Sequence, residues 1–381
     1  MKISKITMYK VKPRWIFVKI TTDEGIEGWG EMISGTKTET VVAGAYEIGN
    51  RLIGRNPFEI ERLFQEMHRS FFRGGPINGT IVSGLEMALW DIKGKALGVP
   101  VYELLGGAAR DRIKVYSWIG GDRPDEVVEQ AQDRFDRGFS AVKMNATSEL
   151  HYIDSYEKVD EVVQRVASIR ERFGDKMAIG VDFHGRVHKP MAKVLAKALE
   201  PYHPMFLEEV VLPENEEHFQ MVANAVATPL ATGERLYTRW QFKELFKQGA
   251  VDIIQPDVAL CGGILETRKI AAMAEAYDMA VAPHAPYGPV ALAATLQIDA
   301  CTPNVFIQEQ SLGIHYNKGF DLLDFVKNKE IFHYKDGYVA LPDKPGLGIE
   351  MDEEKIQEIA QEGLVWTNPQ WKNYDGTIAE W

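Results

Sequence analysis

Cysteine is nearly absent from this chain, and that scarcity is the first of several that narrow what it can be. Cys261 and Cys301 are the only two in 381 residues. They have neither the spacing of a disulfide framework nor that of a zinc site, so both are expected as reduced thiols. No apolar run approaches the roughly 18 residues that a membrane helix needs. The opening MKISKITMYKVKPRW has no apolar core of a secretory leader, so a cytoplasmic protein with no membrane partner is expected. Basic blocks are missing too. A formal net charge of -12 argues against nucleic acid or an anionic membrane as partner, and leaves room for an anionic small substrate held through a metal. There is no G-x-G-x-x-G or Walker pattern, no low-complexity tract and no internal repeat beyond a strand-helix period.

What remains is the composition of an ordinary globular protein, 45% hydrophobic and 26% charged. At this length one ordinary core is exceeded, and a barrel with a smaller unit attached fits.

The first segment reads as strands. KITMYKV and WIFVKITT are followed by a turn at Asp23, Glu24 and Gly25 and a return strand IEGWGE. Helices are expected from near Thr38, from Asn56 with Pro57 in the first turn, and from about Thr80 to Leu97 with Gly98 as the stop. Between the last two, FFRGGPING marks a loop able to reach over a neighbouring site, and its Arg73 is a candidate for binding an acidic substrate. After Gly106 and Gly107 the pattern changes to alternation. Eight apolar strands are expected at 113–120, 140–146, 177–184, 204–210, 228–234, 251–257, 279–284 and 304–310, separated by amphipathic helices. That alternation indicates a parallel sheet closed as a (β/α)8-type barrel. The expected division is an α+β unit over 1–112, the barrel over 113–330, and a segment over 331–381 that packs back on the N-terminal unit.

Three of those strands end in acids. Asp182, Glu208 and Glu234 stand at equal intervals of 26 residues, one strand-loop-helix unit each. Neighbouring strands of a parallel barrel bring their C-terminal ends to one rim, so the three carboxylates converge and would repel one another without a cation. A hard divalent ion, Mg2+ first, suits an all-oxygen set. Any one of these acids alone reads as a solvated strand-end or helix N-terminal charge; three in register do not. His184 follows Asp182 by two, which in a continuing strand puts both on one face. Lys143, Asn145, Asp257, His284 and Glu309 come from other strand ends of the same rim. Asp257 and His284, on adjacent strands, can pair so that the carboxylate fixes the ring tautomer and makes the other nitrogen a better base. A purely structural Asp to His hydrogen bond is the plainer alternative. His151, His188 and His203 are read as surface residues.

These residues carry a resemblance. The N-terminal unit, the run ALWDIKGKALGVPVYELLGG (88–107), the acids of strands three to five, and the Asp and His of strands six and seven resemble the enolase superfamily, mandelate racemase subgroup. Within it the similarity is greatest to the sugar acid dehydratases that act on galactonate. VDFHGRV (181–187), PMAKVLAKALEPY (190–202), AEAYDMAVAPHAPYGP (274–289), QEQSLGIHYNKG (308–319) and LLDFVKNKE (322–330) support it from end to end. The resemblance implies a (β/α)7β barrel under an α+β capping domain, with Mg2+ on Asp182, Glu208 and Glu234. It implies His284, paired with Asp257, as the base that takes the C2 proton, and protonated His184 as the acid that helps the C3 hydroxyl leave. Glu309 would contact the substrate carboxylate; from their places on the rim and in the loop, Lys143, Asn145 and Arg73 are read as further substrate contacts. Of Glu208 and Glu209, strand alternation lets only one face the rim, and the family pattern selects Glu208.

The expected function is therefore Mg2+-dependent dehydration of a sugar acid, galactonate first, by a homo-oligomer. Val210 stands where the family has proline, and Asn145 where racemases of the subgroup carry a second lysine. The rival readings are a dehydratase of another aldonate, of gluconate or mannonate type, a hydroxy acid racemase or epimerase, and a sugar acid binding protein without turnover. Specificity is expected to depend on loops at 36–40 and 73–79.

Overall fold

The computed structural model describes every residue except 34, 36, 70–72, 122–124, 365 and 381. The expectations that fall on Thr36 and on the start of FFRGGPING therefore lie outside the described residues. The chain opens as an antiparallel meander of β1 Ile3–Val11, β2 Trp15–Thr22 and β3 Glu27–Ile33. α1 Thr38–Gly49 and α2 Ile60–His68 follow, then α3 Pro76–Leu97, which is buried almost all round because it lies between the meander and the rest of the molecule. Strand and helix come very close. A Cβ on Gly30 would sit 1.9 Å from the Gly84 carbonyl oxygen, so glycine is required at that contact.

Two helix starts differ from the sequence expectation. α2 begins at Ile60 rather than Asn56, because the Asn56 side chain accepts from the Phe58 amide at 3.0 Å and its carbonyl from that of Glu59, which commits Asn56 and Pro57 to a turn. α3 begins at Pro76 rather than Thr80. Proline suits a first helical position, where its missing N–H has no intrahelical partner to lose. Gly98, at φ 71°, ends α3 in the left-handed conformation.

After α4 Val101–Leu104 come eight parallel strands: β4 Arg112–Trp118, β5 Ala141–Asn145, β6 Ala178–Asp182, β7 Phe206–Glu208, β8 Leu230–Thr232, β9 Ile253–Ile254, β10 Ala280–Val281 and β11 Gln308–Gln310. Each pairs with the next from β4 to β10. β11 returns to β4 with Gln308 opposite Val115, and a bridge from Val281 to Val305 closes the ring. Outside it lie α5 Val127–Asp136, α6 Tyr156–Phe173, α7 Lys189–Leu199, α8 Phe219–Ala223, α9 Thr238–Gln248, α10 Ile264–Ala276 and α11 Pro289–Cys301, one after each of the first seven strands. The architecture is thus a (β/α)7β barrel with an α+β cap. Tyr116, Phe206, Ala231, Ile253, Ala282 and Ile307 fill the barrel centre, as inward positions of alternate strands do. The strands are shorter than their apolar runs, and every run but the last continues past the end of its strand to the rim. Beyond the barrel, β12 Tyr334–Lys335 and β13 Tyr338–Ala340 form a hairpin on β4, and α12 Glu353–Ala360 packs on β1, where Glu353 accepts from Tyr9 at 2.6 Å and pairs with Lys19.

The cap is fixed to the barrel by two buried carboxylates. Glu31 accepts from the amides of Gly288, Val290 and Ala291 at 2.6, 3.2 and 3.0 Å, at the start of α11. Glu86 accepts from Ile264 and Leu265 at 2.7 and 3.0 Å, at the start of α10, and from Trp90 Nε1. These amides have no intrahelical acceptor, and a carboxylate is their best partner. Burial nonetheless outweighs the donors and raises Glu31 to about 7 and Glu86 to about 8. α10 and α11 follow the strands that lead to Asp257 and His284, so the docking sets the cap over that part of the rim.

Candidate active site

Asp182 ends β6 and Glu208 ends β7, opposite each other in register, while Glu234 stands two residues past β8. One carboxylate oxygen from each lies within 4.8 Å of the others. All three are buried. Burial and the neighbouring Glu208 hold Asp182 well above the usual carboxylate range; burial and Glu209 raise Glu234 to about 7. Asp182 Oδ2 is buried with no hydrogen-bond partner among the described residues, while Oδ1 accepts from the His184 amide at 2.6 Å. A set of mutually repelling oxygens with one orphaned atom fits a hard divalent cation.

Lys143 of β5 anchors the set from behind. Its Nζ lies 2.8 Å from Glu208 Oε1 and 3.0 Å from Glu309 Oε1, with no exposed surface on any of the three. Burial works against the ammonium, but Glu208 and Glu309 prevail and hold it well above its ordinary range. Gln255 donates to Glu208 Oε2 at 2.6 Å. Glu309, on β11, also accepts from Trp118 Nε1 at 2.5 Å and from the Ala285 amide at 2.8 Å, and the lysine draws it below the usual carboxylate range despite burial. Asn145 ends β5 opposite Asp182 and is 1% exposed.

His284 lies just beyond β10. Its Nδ1 is 2.7 Å from Asp257 Oδ2, and the two residues form an isolated parallel bridge, so the pair expected from adjacent strand ends is present. Its Nε2 is 3.3 Å from Glu234 Oε2 and 3.9 Å from Glu309 Oε2. Burial disfavours the charged ring, but Glu234, Glu309 and Asp257 together raise it to about 10.

His184 departs from expectation in two ways. The strand stops at Asp182 and His184 sits at φ 55°, so it reaches the site from a tight turn rather than along a strand face. Burial, then Arg235 and Arg186, hold its ring well below the usual histidine range. Burial and the two arginines thus disfavour the charged ring that the sequence reading assigns to it. His188 is a further correction: it is buried and stacks on Tyr152 at 3.5 Å rather than lying on the surface.

These groups face a cavity of about 250 Å³. His184, Glu234 and His284 line it directly; Asp182, Glu208, Asp257, Lys143, Asn145 and Glu309 are buried around them. Arg73 is exposed and lines an adjoining cavity that shares Tyr237. Sequence reasoning missed the outer wall. Arg14, between β1 and β2, donates to the Pro286 carbonyl at 2.5 Å, and its guanidinium lies over the rings of Tyr287, Tyr316 and Trp366 at 5.3, 4.5 and 5.8 Å. Four distant segments thus meet there. It also missed Arg235 and set Glu209 aside, although the two, each one residue after a member of the carboxylate trio, are joined at 2.8 and 3.0 Å. That spacing was the available signal.

Known proteins share this arrangement of cap, barrel and rim. The description "Mandelate racemase / muconate lactonizing enzyme, N-terminal domain" matches residues 1–106, and "Enolase C-terminal domain-like" matches 126–355. The D-galactonate dehydratases of Variovorax paradoxus and Pectobacterium atrosepticum are 51% and 52% identical to the chain, each over 100% of both proteins. Among solved structures, a mandelate racemase/muconate lactonizing enzyme-like protein from Roseovarius is 33% identical, with a TM-score of 0.86 and 97% of each chain covered. An enolase superfamily member from Salmonella Typhimurium is 29% identical, with a TM-score of 0.85, covering 94% of this chain and 98% of its own. With both family segments matched and relatives of over half identity aligned throughout, the chain belongs to the mandelate racemase and muconate lactonizing enzyme family of the enolase superfamily.

Proposed function

We propose that this protein is a sugar acid dehydratase acting on D-galactonate, which it converts to 2-dehydro-3-deoxy-D-galactonate by removing the C2 proton and the C3 hydroxyl. The observation that carries the reading is the placement of two unlike imidazoles, His184 and His284, on one cavity beside a trio of buried carboxylates. The identity of about half to two D-galactonate dehydratases over full length supports the substrate.

Asp182, Glu208 and Glu234 would hold Mg2+, which supplies positive charge against the negative charge that builds beside the substrate carboxylate and relieves the pull of Glu234 on the His284 proton. His284 takes the C2 proton at Nε2, with Asp257 holding Nδ1–H and so fixing the ring. Glu309 and Lys143 are assigned to the carboxylate end of the substrate, and His184 to the C3 hydroxyl. Asn145 cannot remove a proton, so β5 offers no second base for C2, which favours elimination over racemisation. The enol left by loss of water becomes the 2-keto acid. We assign residues 1–112 to the cap, 113–330 to the catalytic barrel and 331–381 to a segment that completes the cap; Trp366 and Asn368 of that segment border the cavity. Arg73 is assigned to the approach of the anionic substrate.

The test is turnover. Purified protein with Mg2+, given a panel of five- and six-carbon aldonates, should form a 2-keto acid fastest from galactonate. Tight binding of an aldonate with no keto acid from any of them would replace this reading with that of a binding protein.

A further inference from the structure

We propose that Arg235, braced by Glu209, is a positioning residue that determines which nitrogen of His184 carries the ring hydrogen. The inference rests on the dehydratase reading for its kinetic consequences and on the geometry alone for the tautomer.

Glu209 leaves β7 at φ 44° and is 4% exposed. Both of its oxygens face Arg235 Nε, at 2.8 and 3.0 Å, so the guanidinium is held from one side. A terminal nitrogen of the same guanidinium lies 3.2 Å from the His184 carbonyl oxygen and 3.4 Å from His184 Nδ1. Guanidinium only donates, so the Nδ1 it faces must accept, and the hydrogen belongs on Nε2. An imidazolium, with hydrogen on both nitrogens, would set N–H against N–H. The turn at His184 keeps the ring in this place, because its backbone amide is tied to Asp182 Oδ1.

The ring then acts as a neutral N–H donor with a cation behind it. When the C3–O bond breaks, the electron pair stays on oxygen and the Nε2 proton goes to it, giving water. The charge left on the ring faces Arg235. His284 meanwhile holds the C2 proton, so the pair gains one proton and loses one, and exchange with solvent restores both. A neutral histidine serving as the electrophile has precedent in triosephosphate isomerase.

Nitrogen-15 NMR of the histidine rings, with Arg235→Met, Arg235→Lys and Glu209→Gln, tests this. The native spectrum should show the neutral His184 ring as the Nε2–H tautomer, and Arg235→Met should lose that preference. Dehydration by Arg235→Met should fall about 100-fold in kcat with KM changed less than about threefold, while exchange of the C2 proton with solvent deuterium persists. Arg235→Lys should recover part of the rate, and Glu209→Gln should fall between. Mn2+ titration of each variant checks that the carboxylate trio is intact. A native His184 with hydrogen on Nδ1, or a fall in dehydration and exchange together at an unchanged tautomer, overturns the proposal. Absence of keto acid formation by the native protein would instead count against the dehydratase reading, leaving the tautomer to decide this one.

Discussion

The Nε2 of His284 lies 3.3 Å from Oε2 of Glu234, so the proposed base and a proposed metal ligand face each other at ion-pair distance. Each perturbs the other. Glu234 is among the groups that carry His284 to about 10, and Glu234 itself stands at about 7. A cation on the trio needs Glu234 ionised and weakens its hold on the imidazolium.

Metal binding should therefore release protons. Below about pH 7 the cation displaces the Glu234 proton, so Mg2+ affinity should fall as the pH is lowered from 8 to 6. Calorimetry in two buffers of different ionisation heat at pH 6.5 should give heats that differ in the sense of proton release. Buffer-independent heats would contradict the pairing.

Glu234→Gln should abolish metal binding and turnover while sparing the fold, since an amide is a poor Mg2+ ligand of nearly equal volume. The sign of the stability effect follows from the raised pKa. The folded chain keeps this proton up to about pH 7, the unfolded chain only to about 4.5, so stability is lost as pH rises between them and the ionised carboxylate is a cost at pH 8. Thermal unfolding at pH 8 should occur no earlier in the variant. Undiminished turnover, in the variant or after chelation, would sink the metal assignment.

Lys143→Met should be among the most damaging single changes. It removes the one ammonium between Glu208 and Glu309 and leaves two carboxylates buried against each other. A loss of about 3–5 kcal/mol in urea unfolding is expected. A loss below about 1 kcal/mol would mean that the pair is solvated.

Glu86→Gln tests the attachment of the cap. The amide nitrogen of glutamine cannot accept, so the Ile264 or the Leu265 amide loses its partner, at a cost of about 1–3 kcal/mol. Denaturant unfolding measures it. An unchanged midpoint would show that the two amides find other acceptors.

The convergence of the carboxylate trio could be read from sequence because one strand-helix unit recurs at a fixed length, and the barrel turns that interval into proximity. The Asp257 and His284 pair was readable for the same reason. His184 was located but not its conformation, since the left-handed turn at φ 55° is imposed by the chain returning toward α7, which periodicity does not report. Glu31 and Glu86 left a signal, a lone acid inside the runs GWGEMI and SGLEMALW, whose explanation lies in helix starts far along the chain. Nothing local marks Arg14. Its partners Tyr287, Tyr316 and Trp366 come from three later segments that meet only in the fold.

The central claim is that His284 removes the C2 proton and His184 serves the departing hydroxyl, and deuterium exchange tests it most directly. Proton NMR would follow galactonate in D2O with Mg2+ and the His184→Asn or His284→Asn protein. His184→Asn should form no keto acid yet exchange the C2 proton, whereas His284→Asn should do neither. Exchange that survives in His284→Asn and is lost in His184→Asn would contradict the account and reverse the two roles.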